Sequence, residues 1–201
     1  MTKKSSRSID FKKVFPWLLI VVGTIGMFAA LVLSIEKIEL LKDPNYSASC
    51  NINPIFSCNN IIKTPQAAVL GFPNPFIGLA AYAMVLTTGV GILAGAKFKR
   101  WYWQIFQLGP LAGVLFVHWL IYQSLYSIGA LCLYCMVVWT ITLPAFVYTT
   151  LWNLREGNIV PPKSLAGLAR FFDKHHFDIL VVWYLLIIFA ILNRFWYFFG
   201  G

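Results

Sequence analysis

Long apolar stretches, each able to cross a lipid bilayer, dominate the sequence and constrain its fold more than any other feature. There are five of them, at about 15–35, 75–96, 101–126, 131–154 and 179–199. A bilayer core of about 30 Å requires roughly 20 apolar residues in a helix. With 59% hydrophobic residues in 201 positions, a water-soluble domain would lack the interior to bury them. The sequence therefore predicts an all-α integral membrane protein with five transmembrane helices in a single domain, residues 1–201.

The Lys and Arg residues indicate how these helices are oriented. They concentrate before the first stretch, between the second and third, and between the fourth and fifth: Lys3, Lys4, Arg7, Lys12 and Lys13, then Lys97, Lys99 and Arg100, then Arg155, Lys163, Arg170 and Lys174. Cytoplasmic loops of membrane proteins collect such residues. We therefore expect a multi-pass protein of the plasma (inner) membrane with its N-terminus cytoplasmic and its C-terminus outside. The net charge of +9 is then a topology signal, and we expect lipid rather than nucleic acid as the surrounding partner.

The cysteines form two pairs, and the predicted topology places both pairs on the outer side. Cys50 and Cys58 lie in the first outer loop, and Cys132 and Cys135 form a C-x-x-C motif at the outer end of the fourth stretch. Residues three apart share one face of a helix, so the second pair can form a disulfide. Unpaired N–H groups at a helix start also stabilise a thiolate, which is the reactive form. The pattern predicts a redox site in an oxidising compartment.

Less specific interpretations of the same cysteines stay open at this point. The C-x-x-C pair is compatible with two packed free thiols or with a structural disulfide. The loop pair is compatible with a simple staple between Cys50 and Cys58. We expect no metal site, because His118 lies inside the third stretch and His175 and His176 lie on the opposite side of the membrane.

The outer loop, about 36–74, is long for a connection between membrane helices. Its prolines break regular structure, and the segment "NNIIKTPQAAVLGF" has an apolar face without the length to span a bilayer. We interpret part of that segment as a short helix at the membrane interface. Such a loop can fold over the outer end of the helices and bring Cys58 towards Cys132. A mobile dithiol beside a fixed one would then pass disulfides on by thiolate attack.

This arrangement resembles the vitamin K epoxide reductase (VKOR) family, specifically its bacterial members. That family has two loop cysteines after the first helix and a C-x-x-C motif at the start of the fourth. It also places a Ser or Thr six residues after the second loop cysteine, where this chain has Thr64. The segment "FPNPFIG" supplies Asn74 and Gly78, which match the Asn-x-x-x-Gly opening of the family's second helix. The resemblance covers about residues 15–154.

The resemblance implies a four-helix bundle around a quinone, either menaquinone or ubiquinone, with a peripheral fifth helix and an outer capping loop. The family transfers two electrons from protein thiols to a membrane quinone. Carried over by position, Cys50 would contact the partner protein, and Cys58 would shuttle by forming a disulfide with Cys132. Cys135 would be the thiolate that faces the quinone ring.

The resemblance also implies a set of quinone-binding residues: Asn74, Thr64, Phe76 and Trp139. Asn74 would donate a hydrogen bond to a quinone carbonyl, although it is equally suited to cap its own helix because a proline follows it. Thr64 would support the loop helix or the pocket. Trp139 stands four residues after Cys135, where the animal enzymes carry a tyrosine. Its indole can still donate a hydrogen bond, or it can serve as an interfacial or packing aromatic.

The function that follows from the resemblance is that of a membrane thiol oxidoreductase. It would reoxidise a secreted thioredoxin-fold (DsbA-like) disulfide donor, expected to be a separate protein because these 201 residues include no fused thioredoxin-like domain. The closest alternative is a reductase of vitamin K quinone or its epoxide that uses the same four cysteines. A non-enzymatic scaffold or transporter with structural disulfides is a third possibility, but it gives no reason for two dithiols on one side.

Overall fold

The computed structural model describes residues 11–196, and five long helices account for most of them. They are α1 (Phe11–Lys42), α3 (Asn74–Leu93), α4 (Arg100–Tyr122), α5 (Leu133–Arg155) and α6 (Ala166–Arg194). Shorter elements connect them: α2 (Cys58–Ile62), two 3-10 turns (Pro65–Ala68 and Lys163–Leu165) and a π-helical turn (Gln123–Ile128) that continues α4. All five long helices are long and apolar enough to cross a membrane, which confirms the predicted all-α membrane fold.

Two helices extend well beyond the apolar stretches that predicted them. Helix α1 continues to Lys42, so the outer loop begins later than position 36. Helix α6 begins at Ala166 rather than near 179, and its backbone departs from helical geometry at His175. Hydropathy detects only the apolar part of a helix and misses polar turns at its ends. The predicted end of the fifth stretch, 197–199, and the basic residues before position 11 lie outside the described residues.

Glycines allow α1 and α3 to pack at very short range. A Cβ atom added to Gly23 would lie 2.6 Å from the backbone nitrogen of Leu86, and one added to Gly26 would collide with the ring of Tyr82. Small residues permit such close approach between membrane helices, where dispersion contacts replace the hydrophobic effect. The approach directs the Tyr82 hydroxyl towards Thr142 on α5, 2.9 Å from its Oγ1. With α4 packed against α5, these helices form a four-helix bundle.

The loop over the end of the bundle where α1 ends and α5 begins, residues 43–73, is called the cap here. Its two short helical turns, Cys58–Ile62 and Pro65–Ala68, overlap the segment 59–72 for which a short helix was predicted, and the first begins one residue before it. Lys37 on α1 donates a hydrogen bond of 2.8 Å to the Ile62 carbonyl, at the C-terminal end of α2 where a cation is favourable. This bond attaches the cap to the C-terminal part of α1.

Candidate active site

An isolated parallel β-bridge joins the cap to the start of α5. It pairs Phe56 with Leu131: the Leu131 N–H donates to the Ile55 carbonyl at 2.7 Å, and the Ser57 N–H donates to the Leu131 carbonyl at 3.0 Å. Cys58 lies two residues after Phe56, and Cys132 directly follows Leu131. The bridge therefore holds together two cysteines that are 74 residues apart in the chain.

The sulphur atoms of three predicted cysteines meet beneath this bridge. Cys50 and Cys58 form a disulfide, and Sγ of Cys132 lies 2.9 Å from Sγ of Cys58. All three residues are buried, and Cys50 is only 3% exposed. The three Sγ atoms lie within 4.8 Å of one another, but two of them share a disulfide and so cannot act as thiolate ligands of a metal in this state. Cys132 and Cys135 are free thiols.

The start of α5 supplies an environment in which the Cys132 thiol ionises readily. Cys132 immediately precedes the first helical residue, in an extended conformation. The Cys135 thiol, together with backbone N–H groups at the helix start, holds the pKa of Cys132 below its ordinary value, although burial opposes this effect. The lowered pKa favours the thiolate, which is the form that attacks a disulfide. Its attack target, Cys58, is already in contact.

Asparagine side chains fix the cap segment that carries the loop disulfide. Asn51 Oδ1 accepts hydrogen bonds from the Ser57 hydroxyl at 2.9 Å and from the Asn59 N–H at 3.2 Å. Asn59 in turn accepts from the Ala48 N–H at 3.0 Å and donates to the Tyr46 carbonyl at 2.8 Å. Sequence reasoning missed these residues. Their position beside the cysteines in "SASCNINPIFSCNN" was the available signal.

A largely apolar cavity of about 470 Å³ lies among α1, α3, α4 and α5, next to the sulphur cluster. Cys135 and Trp139 both line it, and they are one helical turn apart on α5. The Trp139 indole N–H is buried and has no hydrogen-bond partner among the described residues. A buried donor without an acceptor is costly, so its presence at a cavity points to an acceptor supplied by a ligand.

The comparisons with known proteins identify the family to which this arrangement belongs. The sequence matches the vitamin K epoxide reductase family over residues 17–150, which is about two thirds of the chain. The chain belongs to that family. A comparison with curated proteins found no significant match. Family membership supports a membrane oxidoreductase with a redox-active disulfide, and the matched range contains all four cysteines.

Among the quinone-binding residues expected from the VKOR resemblance, Asn74 does lie at the cavity. Its Nδ2 donates to the Gln66 carbonyl at 2.7 Å, and its Oδ1 accepts from the Val69 N–H at 3.0 Å. Asn74 is the first residue of α3 and makes no cap bond to that helix, so it stabilises the preceding loop instead. One amide N–H of Nδ2 stays available to a ligand.

Thr64 and Phe76 are not among the cavity-lining residues. The Thr64 hydroxyl donates to the Ile61 carbonyl at 2.7 Å, which supports the end of α2. On α3 the lining residues, at 74, 75, 77, 78, 81, 82, 84 and 85, form one broad helical face that does not include Phe76. The quinone contacts expected of Thr64 and Phe76 therefore stay predictions. The same face adds Tyr82 to the cavity, a residue that sequence reasoning missed but that its spacing from Asn74 and Gly78 indicates.

Proposed function

We propose that this protein reoxidises a secreted thioredoxin-fold (DsbA-like) protein and passes two electrons to a membrane quinone. The observation that carries the proposal is the 2.9 Å separation between Sγ of Cys58 and Sγ of Cys132. It connects a disulfide on the cap to a thiol pair whose second member, Cys135, lines the apolar cavity. The four cysteines thus offer a route for electrons from the outer surface into the membrane.

The proposal includes an orientation in the plasma (inner) membrane. The N-terminus is cytoplasmic, and all four cysteines and the C-terminus face outside. The distribution of Lys and Arg supports it. Lys97, Lys99 and Arg100 lie between α3 and the start of α4, and Arg155, Lys163, Arg170 and Lys174 lie between the end of α5 and the first turns of α6. The cap and the start of α5 then face a compartment in which disulfides persist.

The thiol chemistry follows from the order of the sulphurs. A partner thiolate attacks Sγ of Cys50, the Cys50–Cys58 bond breaks, and Cys58 leaves as a thiolate. The partner's second thiol then resolves the mixed disulfide, which oxidises the partner and frees Cys50. Cys58 attacks Cys132 of a Cys132–Cys135 disulfide, and Cys135 leaves as a thiolate beside the cavity. Cys50 finally attacks Cys58, which restores the loop disulfide and leaves Cys132 and Cys135 reduced.

The cavity residues fit a quinone at this position. The lining is predominantly apolar, and both Trp139 and Asn74 offer an N–H to a carbonyl oxygen. When bound, the quinone accepts two electrons and two protons, so that the Cys132–Cys135 disulfide forms again. Cys135 contributes the sulphur that lines the cavity, while Trp139 and Asn74 orient the ring and stabilise charge that develops on its oxygens.

Access of the partner to Cys50 requires part of the cap to move. Cys50 is only 3% exposed, because Tyr46, Ala48 and the start of α5 pack around it. The hydrogen bonds of Asn51 and Asn59 hold this segment in place. Each such bond contributes about 1 kcal/mol, so a docking partner can displace a few of them.

The proposal is tested with purified protein, a reduced thioredoxin-fold partner and a soluble quinone. We expect turnover with the unmodified chain and none with Cys135→Ala. Cys50→Ala should lose turnover with the protein partner but keep some with a small dithiol, which reaches the C-x-x-C pair directly. Val160→Ala, in the exposed loop at the opposite end of α5, is the matched control and should be fully active. Equal rates of partner oxidation by Cys50→Ala and the unmodified chain would contradict the relay.

A further inference from the structure

Glu36 is a buried carboxylate at the outer end of α1, and no residue in 11–196 forms an ion pair with it. Glu36 is only 4% exposed. Removing a charge from water costs several kcal/mol unless a partner offsets it. Ionisable residues within transmembrane helices are accordingly rare and mark functional positions. The relay described above assigns no role to Glu36.

One oxygen of Glu36 holds the residue that directly precedes Cys50. Oε1 accepts hydrogen bonds from the Ser49 hydroxyl at 2.6 Å and from the Ser49 N–H at 3.0 Å. The Ser49 hydroxyl also lies 3.5 Å from the hydroxyl of Tyr134, in the first turn of α5. The carboxylate therefore fixes the backbone before Cys50 against α1, at a point where the cap and α5 also meet.

The other oxygen of Glu36, Oε2, is buried and has no hydrogen-bond partner among the described residues. Its charge nevertheless acts on the groups nearby. Glu36 raises the pKa of Tyr46, chiefly as a hydrogen-bond acceptor close to the phenol and also through its negative charge. At Cys132 the Cys135 thiol dominates and lowers the pKa, while Glu36 acts in the opposite direction. The negative charge of Glu36 thus affects the Cys132 thiol in the sulphur cluster.

We propose that Glu36 is a positioning residue for Cys50. It holds Cys50 in place through Ser49, and its negative charge, which no ion pair within residues 11–196 compensates, disfavours the release of Cys50 as a thiolate. This inference rests on the proposed relay, in which Cys58 exchanges between two sulphurs. When the Cys132 thiolate attacks Cys58, the Cys50–Cys58 bond breaks and Cys50 leaves as a thiolate. The same charge also opposes a thiolate on Cys132, which is the free thiol of the closed state. The carboxylate is bonded to the residue next to Cys50, so we infer that it opposes the Cys50 thiolate more strongly. The equilibrium then favours the closed Cys50–Cys58 disulfide over the Cys58–Cys132 crosslink.

The groups around Glu36 do not neutralise it. The titratable and charged side chains on the elements packed there are Tyr46 and Lys63 of the cap, Tyr134 and Cys132 at the start of α5, and Lys37 and Glu39 of α1. Lys37 donates to the Ile62 carbonyl, and Lys63 donates to the Pro44 carbonyl at 3.3 Å. Both amines are therefore engaged with the cap backbone and not with the carboxylate.

The test uses the full chain in lipid nanodiscs, in a Cys135→Ser background. Cys58 then pairs with either Cys50 or Cys132, and neither quinone nor partner protein is involved. The ratio of crosslink to closed disulfide is measured by acid quenching and peptide mapping from about pH 6 to about pH 10, a range that brackets ordinary thiol pKa values. Glu36→Gln keeps an oxygen for Ser49 but removes the charge. We expect no change at the acidic end, where the Cys50 and Cys132 thiols are protonated. At the alkaline end we expect a ratio higher by up to about tenfold, which corresponds to a difference of one pKa unit between the effects of the charge on Cys50 and on Cys132.

Two further variants separate the charge from the hydrogen bonds. Ser49→Ala removes the uncharged hydroxyl that donates to Glu36. It should therefore change the ratio of crosslink to closed disulfide by the same factor at every pH. Ser49→Lys keeps Glu36 but places a cation beside it, and it should reproduce the alkaline rise even if Glu36→Gln does not fold. A ratio in these charge variants that equals the parent's, or that differs from it by a constant factor at all pH values, would overturn the inference. Failure of the relay is distinguishable, because no Cys58–Cys132 crosslink would then form in any variant.

Discussion

Trp183 on α6 donates its indole N–H to Nε2 of His118 on α4, at a distance of 2.8 Å. The other ring nitrogen, Nδ1, lies 2.8 Å from the Val114 carbonyl oxygen. A carbonyl only accepts, so His118 carries its hydrogen on Nδ1 and is neutral in this arrangement. Near the other end of α6, Arg194 donates to the Leu125 carbonyl at 2.7 Å. Polar bonds therefore attach the fifth helix to the bundle at two separated points.

The first prediction concerns this attachment. Trp183→Phe removes the bond to His118 and should lower the free energy of unfolding by about 0.5–1.5 kcal/mol, the usual contribution of one such bond. Thermal or denaturant unfolding in detergent measures the change. Trp196→Phe, which alters an exposed tryptophan on the same segment, should have no effect. Combining Trp183→Phe with His118→Ala should cost less than the sum of the two single changes, and an additive loss would contradict the pairing.

The second prediction concerns the exchange between Cys58 and Cys132. In Cys135→Ser, Cys132 has lost its neighbour as a disulfide partner, and its sulphur lies in contact with Cys58. Attack of Cys132 on Cys58 breaks the Cys50–Cys58 bond and releases Cys50 as a thiolate, so peptide mapping after acid quenching should detect a crosslink between Cys58 and Cys132. Detection of the Cys50–Cys58 disulfide alone under those conditions would instead favour a structural staple in the cap.

The helices and the cysteine pairs could be predicted from the sequence because both depend on local patterns. An apolar run of about 20 residues is sufficient to indicate a membrane helix. The C-x-x-C spacing likewise indicates that Cys132 and Cys135 are neighbours at the start of α5. The parallel bridge between Phe56 and Leu131 was not predictable in this way. It pairs single residues far apart in the chain, and no periodic pattern marks such a pair.

The environment of Glu36 also depends on structure that the sequence pattern does not reveal. In the sequence, Glu36 is one of several charges at the end of an apolar stretch, and such charges are commonly solvated. The residue becomes buried because α1 continues to Lys42 and the cap folds over its last turns. The cavity-facing side of α3 was partly predictable, since Asn74 and Gly78 already define a helical face, and that face excludes Phe76.

The third prediction concerns membrane orientation. In a background with all four cysteines replaced by alanine, Ile52→Cys introduces a thiol at an exposed cap position, 66% accessible, and Val160→Cys introduces one at a 69% accessible position between α5 and α6. A membrane-impermeant thiol reagent should label Ile52→Cys in intact cells. It should label Val160→Cys only after lysis. The reverse pattern would invert the proposed topology, because the two positions lie at opposite ends of α5.

The last prediction concerns Trp139, whose indole N–H is buried at the cavity without a partner. Trp139→Phe removes that N–H and keeps an aromatic ring. Without quinone, stability should fall by no more than about 1 kcal/mol, because the lost packing is offset by the loss of an unsatisfied donor. With quinone, the lost hydrogen bond should raise the KM for a soluble quinone by about tenfold, equivalent to about 1.4 kcal/mol. Trp17→Phe is the matched control: this exposed tryptophan of α1 does not line the cavity, so its KM should equal that of the unmodified chain. A KM that is unchanged in Trp139→Phe would show that the quinone carbonyl takes its hydrogen bond elsewhere, and Asn74→Ala would then be the variant in which the loss should appear.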